Sequence, residues 1–402
     1  MRMQIEQIDL AGAATRRACH QVYVAALRAE AAVGPWLSPR RFEGWLTTGW
    51  VGNPSEAWLV RAETDPVPDS GISPGAIAGW YRLELPDREN LDRARLELMV
   101  HPDSRRRGLG RGLLRHAAVR AAAHGRAVLN SAAQNGSAGE GFARAMGAQA
   151  GLVDVQRMLE LADLGAGKLA GLRRQAERAA AGYSLVSWTG PVPEEFLGQA
   201  AELFTALGDA PHNPGAGPEV WDAERVRERI NDLVPGFGMR HYSLAARHDA
   251  SGELAALTQM AVDPADPGWG HQLITAVISK HRGHRLGLLV KTAMLELLAS
   301  TEPQLERIST WNAETNQHMI AVNQVIGYTV LGPPNTDWRF DVPAVLGLAG
   351  AGSAGAGSAG AGWPTASRAR RTARSSRPRQ RPAPGSCRVR RRSPGRRAAR
   401  LL

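Results

Sequence analysis

Val100-His-Pro-Asp-Ser-Arg105-Arg-Arg-Gly108-Leu-Gly110-Arg-Gly112 decides how this chain is read. An apolar, strand-like segment, Leu96-Glu-Leu-Met-Val100, runs into it, and a helix is predicted from Leu113 to His124. A tight glycine-rich turn between strand and helix gathers several backbone N–H groups at the positive end of a helix dipole, which makes a seat for a phosphate or pyrophosphate. Gly108 and Gly110 let the backbone approach an anion closely, and Arg105, Arg106, Arg107 and Arg111 add charge around it. A P-loop would need a Gly-Lys-Ser/Thr ending, and no lysine lies near. A dinucleotide loop would need Gly-x-Gly-x-x-Gly opening the first βαβ unit, whereas Gly108-x-Gly110-x-Gly112 has other spacing and sits later in the chain.

Arg-x-x-Gly-x-Gly after a strand ending Val-x-Pro resembles the acetyl-CoA loop of the GNAT superfamily of N-acetyltransferases. Phe142-Ala-Arg-Ala-Met-Gly147-Ala-Gln149 is similar to the late helix of that family, which closes on Gly. The resemblance implies that backbone N–H groups across Arg105, Arg106, Arg107, Gly108, Leu109, Gly110 and Arg111 wrap the pyrophosphate of acetyl-CoA. It also implies that an N–H near Val100 polarises the thioester carbonyl.

The plan repeats at a spacing near 180 residues. Predicted strands at 4–9, 57–62, 76–85, 95–100, 127–130 and 153–161, with helices at 15–30 and 40–49, are followed by an Ala-rich helical linker. Predicted strands at 183–188, 242–247, 254–262, 272–279 and 307–311 then alternate with helices at 194–207, 220–233, 288–299 and 316–326. The second unit carries His281-Arg-Gly-His-Arg-Leu-Gly287 and Thr310-Trp-Asn-Ala-Glu-Thr-Asn316, which resemble the C-terminal domain of bacterial tandem GNAT proteins. Its loop departs from the family pattern, because Arg285 stands where the first Gly belongs while Gly287 is in place. Val277 and the loop residues Arg282, Gly283, His284, Arg285, Leu286 and Gly287 are the second set of cofactor-binding candidates, with Asn312 and Asn316 beside them. The expected organisation is mixed α/β: one GNAT-like domain over 1–162, a linker over 163–181, a second over 182–342 and a disordered tail over 343–402. It implies a pseudo-dimeric monomer or a homodimer.

Composition narrows the rest. The net charge of +11 comes from the end of the chain: residues 341–402 hold fourteen Arg and one acid, so the part before them is near neutral. The tail starts as Ala/Gly/Ser repeats and becomes Arg/Pro-rich, a composition that cannot bury enough apolar surface to fold. It is the one segment suited to nucleic acid, through salt-dependent phosphate contacts; the alternative is an extension without function. Lys168, Lys280 and Lys291 are the only lysines against 46 Arg. Cys19 and Cys387 are too few for a disulfide framework or a Cys-rich zinc site. No signal-peptide core and no run of about 18 apolar residues is present, so a cytoplasmic protein without membrane contact is expected.

The resemblance implies direct acetyl transfer from acetyl-CoA to a primary amine, on a small molecule, without an acyl-enzyme. Many relatives place a Tyr acid four residues before the closing Gly of the late helix; the matching positions are Ala143 and Asn323. Several relatives place a Glu six residues before the strand-end Val; here those positions hold Ala94 and His271. Catalytic candidates are therefore His271, whose ordinary pKa suits a base, Glu97, on the opposite face of its strand to Val100, and Asn323, an amide inside a helix that asks for a buried partner. The second unit, with its long Asp209–Pro218 loop, is favoured as the catalytic one. A catalytically degenerate acetyl-CoA-binding regulator is the competing expectation. Gly71-Ile-Ser73-Pro-Gly75 matches a hydrolase pattern but sits in a turn, and His271, His281 and His284 lack the carboxylate or Cys partners of a metal site.

Overall fold

The computed structural model describes residues 3–50, 52–62, 75–232 and 234–347. The Gly71–Pro74 part of the hydrolase-like pattern and the Arg-rich tail lie outside the described residues. The first half contains β1 (Ile5–Gln7), α1 (Ala13–Ala29), α2 (Pro39–Thr48), β2 (Ser55–Arg61), β3 (Ile77–Glu84), β4 (Arg93–Val100), α3 (Leu109–Ala123), β5 (Val128–Gln134), α4 (Ala138–Ala145) and β6 (Gln149–Glu160). Helix α5 (Ala166–Ala179) leads to β7 (Tyr183–Thr189), α6 (Leu197–Thr205) and α7 (Ala223–Val226), which runs on as a π-helical stretch to Asn231. Then follow β8 (Arg240–His248), β9 (Leu254–Val262), β10 (Trp269–Val277), α8 (Leu286–Thr301), β11 (Arg307–Ala313), α9 (Gln317–Ile326), β12 (Thr329–Val330), β13 (Asn335–Asp341) and α10 (Val342–Gly347).

All strands join one mixed sheet in the order β1-β2-β3-β4-β5-β13-β6-β11-β10-β9-β8-β7, with β12 also on β6. Helices α3 and α8 cover one face. The alternation of β4 shows how: Ala94, Leu96, Leu98 and Val100 pack with Leu113 and Leu114 of α3, whereas Met99 joins Phe42, Trp45 and Trp80 under α1 and α2. Strand β3 is buried at all eight positions because both helix layers cover it.

Strand β13 was not expected from the sequence. It inserts between β5 and β6, pairing Phe340 with Leu129 and Asn335 with both Gln134 and Asp154. Its buried Thr336, Trp338 and Phe340 alternate with more open neighbours. Burying Trp338 and Phe340 contributes about 3 kcal/mol each at most. Beyond it, residues 343–347, read as the start of the tail, form part of α10. That helix packs against α3 and buries Val342 and Val345 in the same cluster. Strand β6 in turn pairs with β11 along its second half, from Arg307↔Glu160 to Ala313↔Asp154. The two halves therefore interleave their last strands, so the segment closing the first half's sheet lies just over 200 residues beyond the β5 residues it pairs with.

Candidate active site

Two wedges open in the sheet, one in each half. Parallel strands β4 and β5 pair only from Arg93↔Val128 to Arg95↔Asn130, and β4 then continues unpaired on that side to Val100. In the same way β10 and β11 pair only from Trp269↔Arg307 to His271↔Ser309. The backbone N–H and C=O groups of the diverging stretches face the gap, where an extended amide-bearing ligand could complete the ladder.

Each wedge ends at a loop of the same shape. In the first, a 3-10 turn (Pro102–Ser104) leads to Arg106 at φ +62° and Gly108 at φ +84°, and α3 starts at Leu109. In the second, the turn Ser279–His281 leads to Gly283 at φ +92° and Arg285 at φ +52°, and α8 starts at Leu286. Both loops need two left-handed residues, and each supplies one Gly and one Arg in opposite order. Arg285 thus keeps the backbone path that its side chain had put in doubt, at about 1 kcal/mol of strain. Helix α3 begins four residues earlier than expected, because Gly108 acts as its cap. The N–H groups of Leu109, Gly110 and Arg111 consequently form the first helical turn, ahead of the first intrahelical bond from Gly112 to the Gly108 carbonyl. Leu286, Gly287 and Leu288 are their counterparts.

The first arginine of each loop braces the loop itself. Arg105 Nε donates to the Val100 carbonyl at 3.3 Å and its Nη1 to Glu30 at 2.5 Å; Arg282 Nε donates to the Val277 carbonyl at 3.4 Å and its Nη2 to Asp209 at 2.6 Å. Arg106, Arg107, Arg111, His284 and Arg285 stand exposed around the two seats, while Leu109 and Leu286 anchor the helix starts in the core. Asn316 is a helix cap: its Oδ1 accepts from the Met319 N–H at 3.2 Å. Asn323 is fully buried and donates to Asn312 Oδ1 at 2.7 Å, and its own Oδ1 has no partner.

The second wedge has a polar wall that the sequence reading passed over. Strand β10 shifts register against β9 between Gln272 and Ile274. Gln272 Nε2 stitches this irregularity by donating to the carbonyls of Gln259 (2.8 Å) and Ile274 (2.9 Å) and to Thr258 Oγ1 (3.0 Å). Its Oε1 accepts from Lys291 Nζ of α8 at 2.9 Å. Lys291 is 3% exposed, lies over the Tyr328 ring at 5.2 Å, and burial alone pulls its amine down to about 7. The scarcity of lysine in an Arg-rich chain was the available signal. Arginine holds its proton under all ordinary conditions, whereas a buried lysine can lose it.

The sheet faces opposite α3 and α8 differ between the halves. Glu97 lies on the α1/α2 face of β4, its carboxylate 20% exposed and bonded to Arg95 Nε at 2.9 Å. At the corresponding level of the second half, Ile274 and Ala276 pack against Leu203 and Leu207, which closes that face with apolar side chains. His271 is buried there. Its Nε2 accepts from Arg41 Nη1 of α2 at 2.8 Å, and burial, then the Arg41 charge, push it down to about 3. The lone pair expected to take a proton from an amine is thus already engaged. His241, also beside Arg41, is pushed down to about 4 for the same reasons.

The halves also trade walls. Helix α2 of the first half reaches the second through Arg41, while the loop after α6 lies against the first. Asn213 donates to Asp337 at 2.5 Å and accepts from the Leu152 N–H at 3.0 Å, and a Cβ at Gly151 would stand 2.7 Å from its Oδ1. Asn90 exchanges two hydrogen bonds with Gly217, at 3.1 and 2.7 Å, and Arg225 bonds Glu89 at 2.9 Å. Asp154 and Asp337 share this face, and burial followed by the Asp337 charge raises the Asp154 carboxyl above its ordinary value. Among the described residues no group of three or more His, Cys, Asp and Glu could hold a metal ion, and no helix is long and apolar enough to cross a membrane.

Residues 21–147 match the acetyltransferase (GNAT) family model. The structure is similar to a tandem GNAT protein from the clavulanic acid biosynthesis pathway, with 28% identity, 85% of this chain and 99% of that one covered, and a TM-score of 0.66. It shares its fold with a GCN5-related N-acetyltransferase from Sphaerobacter thermophilus (15% identity, 85% and 96% covered, TM-score 0.59). No curated protein matches. Residues 21–147 match the GNAT acetyltransferase family, and the paired wedges, each running into a helix-start loop of common shape, give both halves the fold of the tandem GNAT protein.

Proposed function

We propose that the protein is an acetyl-CoA-dependent N-acetyltransferase that moves the acetyl group directly to a primary amine on a small molecule, and that transfer takes place in the first half. The observation that carries this reading is the first wedge, with its loop at one end and Glu97 on the partly open acceptor face. Acetyl-CoA as substrate would lay its pyrophosphate on the first turn of α3 and its pantetheine arm along β4. The amine nitrogen would reach the thioester carbon from the α1/α2 face, with Glu97 taking its proton through a water. The thiol is a good leaving group at its ordinary pKa of about 8.5, so Ala143 in place of a Tyr acid is tolerable. Positioning in the wedge supplies most of the rate.

The second half fits a binding role better. The face from which an amine would approach is closed, and His271 is engaged by Arg41. That moves the expected working half from the second to the first. Amine-dependent release of free thiol from acetyl-CoA, measured across an amine panel, tests the reading. Glu97→Gln should lower kcat about 100-fold, the usual worth of a general base, with the KM for acetyl-CoA unchanged. Gly108→Trp should abolish turnover. Thiol release by neither half with any amine, while acetyl-CoA still binds, favours a regulator over an enzyme.

A further inference from the structure

The second half holds a buried amine that the transfer reaction above does not use. Lys291 stands on the sixth position of α8, the helix that begins at the second anion loop. Its Nζ reaches Gln272 on β10, one residue past the last pair that β10 makes with β11. It therefore lies on the helix side of the sheet, beneath the point where β10 parts from β11, between Gln272 and Tyr328. Asn312 and Asn323 mark the other lip.

Among the described residues no carboxylate forms an ion pair with Lys291, and burial is the cause of its lowered value. Its partners are the amide oxygen of Gln272 and the face of Tyr328, whose hydroxyl is itself raised by burial. A permanently charged ammonium is costly in such a place. A neutral amine, or its amide, is not. Arg, the overwhelmingly commoner basic residue here, could be neither.

We propose that Lys291 is a self-acylation site, its ε-amino group taking the acyl group of a coenzyme A thioester held in the second wedge. The step needs no further reactant. The Nζ lone pair attacks the thioester carbonyl carbon, a C–N bond forms and the C–S bond breaks. The sulfur leaves with the bonding pair and takes up the proton that the nitrogen sheds. The resulting amide N–H can still donate to Gln272 Oε1, and the buried charge is gone. Free amines have no matching route, because Ile274 and Ala276 close the opposite face. An amine that is neutral near pH 7 is a nucleophile without help.

The inference rests on acetyl-CoA binding, so binding is measured alongside it. The full-length protein is incubated with acetyl-CoA and no added amine, and is then analysed by intact mass and peptide mapping. Binding is followed by calorimetry. One acetyl group on Lys291 is expected, in most molecules, with the exposed Lys168 and Lys280 as internal controls in the same digest. Its rate should rise about tenfold from pH 6 to pH 8 and then level off, as the neutral fraction of a group with pKa near 7 does. Arg285→Glu, which puts a like charge at the anion seat, should remove the mark. Acetyl-CoA binding that leaves Lys291 unmodified, or acetylation confined to Lys168 and Lys280, overturns the proposal and leaves the transferase reading standing. Absence of any binding overturns both.

Discussion

Replacing Lys291 by Met should make the protein more stable at neutral pH, and the gain should vanish as the solution becomes alkaline. The folded-state amine titrates at about 7 against an ordinary value of 10.5, with burial as the cause. Between these values the unfolded chain holds the proton and the folded chain does not. Wild-type stability therefore rises with pH by about 1.4 kcal/mol per unit across that window. The penalty is largest below pH 7 and disappears above 10.5. It amounts to about 4 kcal/mol at pH 7 and about 2 kcal/mol at pH 9. Methionine fills a similar volume and carries no charge, but it leaves Gln272 Oε1 without its donor, a loss of about 2 kcal/mol. Lys291→Met should then exceed wild type by about 2 kcal/mol at pH 7 and equal it near pH 9. Equilibrium urea denaturation at pH 7, 8 and 9 measures the difference directly. A difference between the two proteins that stays constant with pH, or that favours wild type at pH 7, would show that the amine is not the buried, uncompensated group described here.

The loops give a paired test of backbone strain. Arg285→Gly should raise stability by about 1 kcal/mol because it relieves a left-handed residue, and Gly108→Ala should lower it by a similar amount; thermal denaturation reads both, and equal effects of the same sign would contradict the shared loop geometry. His271→Asn should cost about 1–3 kcal/mol by disturbing the buried contact with Arg41, yet leave every inflection in the pH profile of acetyl transfer in place. The loss of an inflection with stability intact would restore His271 as a base.

The parts of the fold that were legible in the sequence are those with local signals. Strand β4 and its glycine loop follow from apolar alternation and a left-handed turn, both written within a dozen residues. The second loop was legible as well, although Arg285 obscured it, because side-chain identity does not forbid a left-handed residue but only makes it costlier. Strand β13 was missed for the opposite reason. Its pairing partners, Leu129 and Asp154, are remote, and Pro333-Pro334 before it reads as a stop. Likewise, nothing near His271 in sequence announces Arg41, 230 residues earlier, which takes up its lone pair. Asn323 asked for a buried partner and has one in Asn312 on the neighbouring strand, a pairing that depends on helix and strand packing.

The interleaved sheet also explains how one half can change its chemistry while being kept. Strand β5 would lose seven paired residues without β13, and α3 would lose the cover of α10, so the first half cannot close its own core without the end of the second. An unpaired β5 edge would further invite association with other chains. Retention of the second half is thus secured by folding, whatever its wedge does. Under the proposed division of roles, that wedge tolerates Arg285 at a left-handed loop position, Ile274 and Ala276 filling one face, and one of three lysines buried beneath it. The first half, whose Glu97 face stays partly open, receives its outer wall from Asn213 and Gly217 of the second. Two wedges of common loop shape would in this way take different parts in one protein, each built partly from the other half's chain.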